Sequence, residues 1–265
     1  GRTAPMQTDK ERDAEVQRGI DEEYALAGAL RGVDVLIAGH TDHGLDTPVR
    51  HPRTGTWIVQ TYGQGMHLGI LELERDRGSS WLLKEGRLQV VNADELIDDA
   101  RVAERIAKTR SEHPDLLEVV GDLHEPIVRR YYRESSMGSM VADAIREAAQ
   151  AEIGMITPGA LRADLAAGPV SKEAVLNVFP FIDRVTTLDV PGHILQSVIE
   201  QGLRRDYGLP NYSGLTMDYR LGEVPDAELK SVKINGEPLQ GDKTYRLATG
   251  SFTATGGEGY QPVSY

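Results

Sequence analysis

The sequence contains no cysteine, which excludes disulfide bonds, thiolate metal ligands and thiol nucleophiles. It also lacks long apolar runs, and none approaches the roughly 20 residues that a membrane-spanning helix requires. Basic residues are fewer than acidic ones, since the chain has 29 Lys and Arg but 41 Asp and Glu, which gives a formal net charge of -12. That balance excludes nucleic-acid binding through a net basic face. Any metal site would use His and carboxylates, and any anionic ligand would meet a local cluster of Arg.

The length of 265 residues suits one large domain or two ordinary ones, and we expect two. The composition, with 40% hydrophobic and 26% charged side chains, is typical of a globular protein. Gly1, Arg2 and Thr3 open the sequence without an initiator Met or an apolar signal core. We interpret this opening as an interior start, with targeting information missing or removed.

In the first part of the chain, apolar periodicity predicts a helix over Glu11–Leu30 and a buried strand over Val33–Ala38. Two further strands, Trp57–Tyr62 and Leu68–Glu74, flank a glycine-rich turn and together indicate the edge of a sheet. Acidic and basic residues then interleave with apolar ones through Leu88–Val120, which predicts a charged helix between two domains.

The second part alternates helices and strands, and this predicts a mixed α/β (α+β) unit. The predicted helices are Met137–Ala149, Ser171–Asn177 and His193–Arg204, and the predicted strands are Ile153–Ile156, Arg184–Val190, Leu215–Leu221, Leu229–Ile234 and Tyr245–Thr249. Asn235-Gly236 is a hairpin signal. The segment Gly236–Thr244 nearly matches a phosphate loop, but it lies between strands, so we interpret it as a hairpin connection.

One loop carries a candidate metal ligand pair. Gly39-His40-Thr41-Asp42 follows the predicted strand Val33–Ala38 and places an imidazole and a carboxylate two residues apart. A lone His in a polar loop is also compatible with a solvated or hydrogen-bonded residue. The segments Gly32–Thr41, Val59–Gly63 and Leu68–Leu71 resemble the closing part of the calcineurin-like catalytic domain of 5'-nucleotidases.

The rest of the chain resembles the same family, in the same order of motifs. Glu134–Met140 resembles the family's Glu-Ser-Asn-x-Gly-Asn-Leu block, and Phe179-Pro180-Phe181 lies at the place of its Pro-Phe motif. Gly159-Ala160-Leu161-Arg162 falls where the family has Asn-Gly-Gly-Gly-Ile-Arg. Ser251–Tyr260 resembles the terminal Phe-x-Ala-x-Gly-Gly-Asp-Gly-Tyr signature. The resemblance extends from about Val33 to Tyr260.

This resemblance implies a metal-dependent phosphoric ester hydrolase of the group that includes 5'-nucleotidases, UDP-sugar hydrolases and 2',3'-cyclic-nucleotide phosphodiesterases. It implies the end of a metallophosphoesterase domain over residues 1–87, a helical interdomain linker over 88–120, and a nucleotide-binding C-terminal domain over 121–265. The implied cofactors are two divalent metal ions (Mn, Zn, Mg or Co), with His40 and Asp42 as metal ligands. The family also implies a periplasmic, secreted or cell-surface location.

The implied ligand is a nucleotide or nucleoside. Two parallel aromatic rings can sandwich a base, and Phe181 and Phe252 are the candidates, with a plain core position as the alternative. Arg162 offers a planar donor fork for phosphate or carboxylate. Glu258 stands where the family has a ribose-binding Asp, although a solvated turn acid is the alternative. The remaining candidates are Asp183, which follows the Pro-Phe motif where the family has Asn, and Arg133, which forms a basic cluster with Arg129 and Arg130 or a solvated face.

The sequence also departs from the family. Thr157, Pro158 and Gly159-Ala160 stand in place of the family's Asn and the first two of its three glycines, so the amide that contacts the base in the family is missing. Tyr131 stands where relatives have a substrate-contacting Arg. The Asp-x-His and Asn-His blocks that supply most metal ligands are missing from these residues, so we expect the chain alone to be inactive and the missing part of the catalytic domain to be a partner. A non-catalytic nucleotide-binding or interaction module is the alternative.

Overall fold

The computed structural model describes residues 20–39, 44–63, 65–75, 81–92 and 95–260. Its internal contacts divide the chain into two units, and the boundary between them falls between Ile106 and Ala107. Each unit is described by itself below.

The first unit begins with helix α1, which covers residues 20–29. Its C-terminal carbonyls are capped from a following loop, because Arg53 donates to Gly28 O at 2.6 Å and Thr54 Oγ1 donates to Ala27 O at 3.0 Å. Three short strands then form one sheet with β3 in the middle, parallel to β1 and antiparallel to β2. They are β1 (Val35–Ile37), β2 (Val49–Arg50) and β3 (Trp57–Val59).

A long hairpin completes the first unit. β4 (His67–Arg75) pairs antiparallel with β5 (Trp81–Val90) in a separate two-stranded sheet. The prediction that Trp57–Tyr62 and Leu68–Glu74 share one sheet edge is therefore wrong. Adjacent strands in a sequence pattern do not reveal hydrogen-bond partners, and β4 takes as its partner the following segment, where no strand was predicted.

The charged segment contains a helix that is shorter than the pattern indicated. Helix α2 covers Ala100–Glu112 and has no buried residue. The predicted helical segment Leu88–Val120 is longer than α2 because it also includes the end of β5, at Val90, and the beginning of strand β6 (Val119–Leu123). Among the described residues, no helix combines the length and apolarity needed to cross a membrane.

A four-stranded sheet forms the centre of the second unit, in the order β10-β7-β14-β9. Strands β7 and β14 are parallel neighbours, whereas β9 runs antiparallel to β14 and β10 antiparallel to β7. These strands are β7 (Ile153–Ile156), β9 (Val185–Pro191), β10 (Asn211–Ser213) and β14 (Thr244–Gly250). All four residues of β7 are buried, which explains its continuous apolar sequence.

Helices pack on this sheet through apolar faces. In α5 (Gly192–Leu203), Leu195, Val198, Ile199 and Leu203 recur at helical spacing and are at most 1% exposed. Helix α3 (Ser136–Ala149) begins at the N-cap Ser135, whose hydroxyl accepts from Gly138 N at 3.0 Å.

Smaller elements surround this core. Strand β6 pairs antiparallel with β8 (Gly168–Ser171), and β8 leads into α4 (Lys172–Val178). A three-stranded sheet has the order β11-β12-β13. Its strands are β11 (Leu215–Leu221), β12 (Ala227–Ile234) and β13 (Glu237–Pro238). Asn235 and Gly236 link β12 to β13 with positive φ angles, so the hairpin prediction is confirmed. The predicted mixed α/β class is also confirmed.

Candidate nucleotide-binding site

Three loops meet at one edge of the four-stranded sheet. The parallel strands β7 and β14 both end there, at Ile156 and Gly250. Val185, the first residue of β9, pairs with Gly250, so the loop before β9 reaches the same edge. The loops after β7, before β9 and after β14 therefore lie together, as the carboxyl ends of parallel strands do in other α/β ligand sites.

Phe181 lies on the loop before β9 and is 46% exposed. Its ring centroid is 5.2 Å from the guanidinium carbon of Arg162, which lies on the loop after β7. The ring also contacts Phe179 edge-to-face, with the centroids 5.8 Å apart. An aromatic ring with a cation on one side and substantial exposure is not a plain core residue.

Asp183 joins the loop before β9 to the loop after β14. Its Oδ1 accepts from the backbone N of Arg184 at 2.9 Å and from the backbone N of Phe252 at 3.2 Å. The hydroxyl of Ser251 donates to the same oxygen. Asp183 thus caps the first turn of the short helix α6 (Ser251–Ala254) and fixes the backbone from which Phe252 projects.

Phe252 is 60% exposed, so it too is not a core residue. Its ring covers Gly257, where an added Cβ would lie 2.5 Å from Cε1 of the ring. A side chain at Gly257 would displace the ring, so this motif glycine leaves space for Phe252.

Glu258 follows Gly257 and has a left-handed backbone, with φ of 51°. Its carboxyl group faces the loop after β7, because a Cβ at Gly159 would overlap its Oε1. Burial raises the pKa of Glu258, while a hydrogen bond from Thr157 and the charge of Arg162 partly oppose that rise. Oε2 of Glu258 is buried and has no hydrogen-bond partner among the residues that the structure describes.

Beneath Arg162, a second arginine is buried. Arg129 is 4% exposed and donates to Leu161 O at 3.1 Å. Its Nε lies 3.6 Å from Asp164 Oδ1, which is an ion pair rather than a hydrogen bond. Burial lowers the pKa of Arg129, and the charge of Asp164 opposes this effect. The charge of Arg129 is thus balanced by Asp164 within the protein. Arg162 is exposed and is the arginine available to a ligand.

The structure brings five of the predicted site residues together. Arg162 contacts the Phe181 ring, and Asp183 accepts a hydrogen bond from the Phe252 backbone. The Phe252 ring lies against Gly257, the residue before Glu258, and the charge of Arg162 acts on the Glu258 carboxyl group. The roles of these five residues in ligand binding stay predictions. Arg133 is exposed on the turn before α3, and these contacts do not include it.

The candidate metal ligands His40 and Asp42 lie outside the described residues. Within the described part of the chain, no three His, Asp or Glu side chains are grouped closely enough to hold a metal ion.

Sequence reasoning missed several neighbours of the site. Tyr207 is 52% exposed, and its ring lies 3.4 Å from the position of a Cβ on Gly259. Gln201 Nε2 donates to Gly259 O at 2.6 Å and supports the same turn. Both residues are about fifty positions or more from the turn that they contact, and no local pattern signals such a pairing.

Comparisons with known proteins identify the family of the chain. A family model described as 5'-nucleotidase, C-terminal domain, matches residues 119–264. The chain is 27% identical to the trifunctional nucleotide phosphoesterase protein YfkN of Bacillus subtilis (strain 168), over 91% of this chain and 18% of that protein. It is 26% identical to a 5'-nucleotidase of Diplobatis ommata, over 91% of this chain and 50% of that protein.

Among solved structures, a 5'-nucleotidase precursor from Thermus thermophilus has the same fold, with a TM-score of 0.76 and 23% identity. That match covers 92% of this chain and 54% of the other. The chain thus spans about half the length, or less, of these relatives. Because the family model matches more than half of its residues, the chain belongs to the family of proteins that carry the 5'-nucleotidase C-terminal domain.

Proposed function

We propose that this chain supplies the nucleotide-recognising part of a metal-dependent 5'-nucleotidase, which hydrolyses nucleoside phosphates or related nucleotide esters. The observation that supports the proposal is that two exposed Phe rings and an exposed Arg lie on three loops whose strand ends share one sheet edge. Exposed aromatic rings beside a permanent cation suit a planar base attached to an anion.

In this proposal each residue has a separate role. Phe181 and Phe252 provide the ring faces for the base, and Arg162 provides the donor fork for a phosphate oxygen. Asp183 holds the Phe252 backbone in place through its hydrogen bond to the Phe252 amide. Arg133 stays a candidate for a second phosphate contact.

The hydrolytic chemistry requires residues beyond those described. A two-metal site activates water and stabilises the leaving oxygen, and it needs several ligands. His40 and Asp42 are the candidates in this chain, and the missing part of the catalytic domain is the proposed source of the others. The domain boundaries at residues 87 and 120, and export to the periplasm or cell surface, belong to the same proposal.

Two measurements test the proposal. Calorimetric titration of the chain with AMP and adenosine is expected to show weak saturable binding. Phosphate release from AMP with Mn, Mg, Zn or Co is expected to be negligible for the chain alone and to appear when the upstream polypeptide is added. If neither AMP, adenosine, uridine nor guanosine binds, the recognition role is refuted. Binding without hydrolysis by the complete protein would instead establish the non-catalytic module.

A further inference from the structure

A fourth loop reaches the sheet edge that carries the candidate site. It covers residues 204–210 and joins the end of α5, at Leu203, to the start of β10, at Asn211. Strand β9 begins at the site edge and runs away from it, and α5 follows β9 directly and packs on the same sheet. A helix in that position runs back toward the edge from which its strand came, so the loop after α5 lies beside the site.

Close contacts hold the loop after α5 against two of the three site loops. A Cβ added to Gly208 would lie 2.5 Å from Cγ of Pro158, which belongs to the loop after β7. The Tyr207 ring lies 3.4 Å from the Cβ position of Gly259, in the turn after β14. The same turn accepts a hydrogen bond from Gln201, whose Nε2 donates to Gly259 O at 2.6 Å. The end of α5 and the loop after it therefore form part of the wall of the candidate site.

Tyr207 is an exposed residue between two fixed points of this loop. Leu209 is 2% exposed, and its backbone N donates to Tyr131 O at 2.7 Å. Arg205 is 3% exposed, and its carbonyl oxygen accepts from Gly208 N at 3.0 Å. Tyr207 itself is 52% exposed. Its ring is thus presented to solvent from a backbone that is held on both sides, and a tyrosine has only two χ angles to fix when a ligand binds.

The strand order places Tyr207 and Phe181 at opposite sides of the site. The order is β10-β7-β14-β9, and Tyr207 lies on the loop before β10, whereas Phe181 lies on the loop before β9. The loops that carry Arg162 and Phe252 follow the two central strands, β7 and β14. Tyr207 therefore borders the site on the β10 side.

The surroundings of Tyr207 suit an uncharged part of a ligand. Tyr207 follows Asp206 in the sequence, and its ring contacts the residue after Glu258. Two acidic side chains so near disfavour a phosphate group through repulsion of like charges. A neutral aromatic ring next to them offers an apolar face and edge to a base or a sugar.

From this placement we propose that Tyr207 is a further ligand-binding residue, whose ring contacts the nucleoside part of the nucleotide and not its phosphate. The inference rests on the proposed nucleotide site and adds a fourth loop to it. It differs from support of the fold, because it requires the ring to touch the ligand.

The first test measures the dissociation constants of adenosine and AMP for Tyr207→Ala by calorimetry. Loss of the ring contact is expected to weaken both ligands by the same factor, about 3- to 10-fold. Tyr207→Phe retains the ring and is expected to bind both ligands almost as tightly as the wild type. Unchanged constants for Tyr207→Ala, or a loss confined to AMP, would overturn the inference.

Leu176→Ala is the matched control, since Leu176 is 55% exposed and belongs to α4, which is not one of the four loops. It is expected to leave both dissociation constants unchanged. If Leu176→Ala weakens binding as much as Tyr207→Ala, the effect comes from a general change in the fold, and the inference fails.

The second test shows whether the ligand lies against the ring. In NMR spectra of the chain with ring-labelled tyrosine, the Tyr207 signal is assigned by its loss in Tyr207→Phe. Adenosine is expected to shift this signal, because the ring current of the base acts at short range, and to leave the signal of the buried Tyr245 in place. A Tyr207 signal that does not move when adenosine saturates the chain would overturn the inference. Failure of adenosine and AMP to bind the wild-type chain would refute the proposed function and this inference with it, whereas tight binding with an unaffected Tyr207→Ala variant refutes the inference alone.

Discussion

Replacing Phe252 with Ala removes one of the two rings proposed to hold the base. Stacking of a base on an aromatic side chain contributes about 1 to 3 kcal/mol. The Phe252→Ala variant is therefore expected to bind nucleosides about 5- to 150-fold more weakly. Because Phe252 is 60% exposed, the loss of burial is expected to lower the free energy of unfolding by only about 1 kcal/mol.

The assay measures the dissociation constants of adenosine, uridine and guanosine by calorimetry, for the wild type and the variant. Leu117→Ala is a matched control, since Leu117 is 54% exposed in the second unit and belongs to the 3-10 helix Pro114–Leu117, which is not one of the three loops of the site. It is expected to leave all three constants unchanged. Thermal unfolding of both variants establishes that the folded state is retained.

An unchanged dissociation constant for Phe252→Ala would refute the stacking assignment, because a stacked ring cannot be removed without loss of affinity. Equal weakening by Phe252→Ala and Leu117→Ala would refute it as well, since the effect would then come from a general change in the fold. Stacking tolerates different bases, so a loss confined to one nucleoside would indicate a hydrogen-bonded contact instead.

Other changes separate the remaining roles. Arg162→Gln is expected to weaken AMP about tenfold more than adenosine, because only AMP carries the phosphate, and equal losses in titrations of the two ligands would contradict this. Asp183→Ala is expected to lower the free energy of unfolding by about 1 to 3 kcal/mol in urea titrations, because it leaves the Phe252 amide and the Ser251 hydroxyl without their acceptor, and an unchanged midpoint would contradict the capping role. The raised pKa of Glu258 means that its contribution to stability is present below its ordinary pKa and is lost as pH rises through the raised pKa. Urea titrations across that range are expected to show the wild type losing stability relative to Glu258→Gln, and parallel pH profiles would contradict the burial of this carboxyl group.

Local patterns were sufficient to predict most elements of the second unit. Strand β7 coincides with the predicted residues Ile153–Ile156, since a short apolar run next to turn residues allows few alternatives. Strand β11 likewise coincides with Leu215–Leu221. Helix α3 (Ser136–Ala149) begins one residue before the predicted helix Met137–Ala149 and ends at the same residue.

Pairings between distant segments could not be predicted in the same way. The pattern of β4 shows a strand but not its partner, and the pairing with β5 depends on contacts across the hairpin. Strand β6 is short and largely exposed, and β8 has four residues of which only one is buried, so their side chains give little periodic signal. The ion pair of Arg129 with Asp164 likewise joins residues whose neighbourhood exists only after folding.

The candidate site shows both what a sequence pattern can predict and what it cannot. The order of the motifs predicted that Phe181, Phe252, Arg162 and Glu258 share one site. In the structure they lie on loops whose strand ends share one sheet edge. The direction of the Glu258 side chain could not be read from its motif. Glu258 has a left-handed backbone, and Oε1 of its carboxyl group lies next to Gly159. The direction of a side chain thus depends on backbone dihedral angles that a motif does not specify, and the proximity of the Glu258 carboxyl group to residue 159 is visible only in the folded chain.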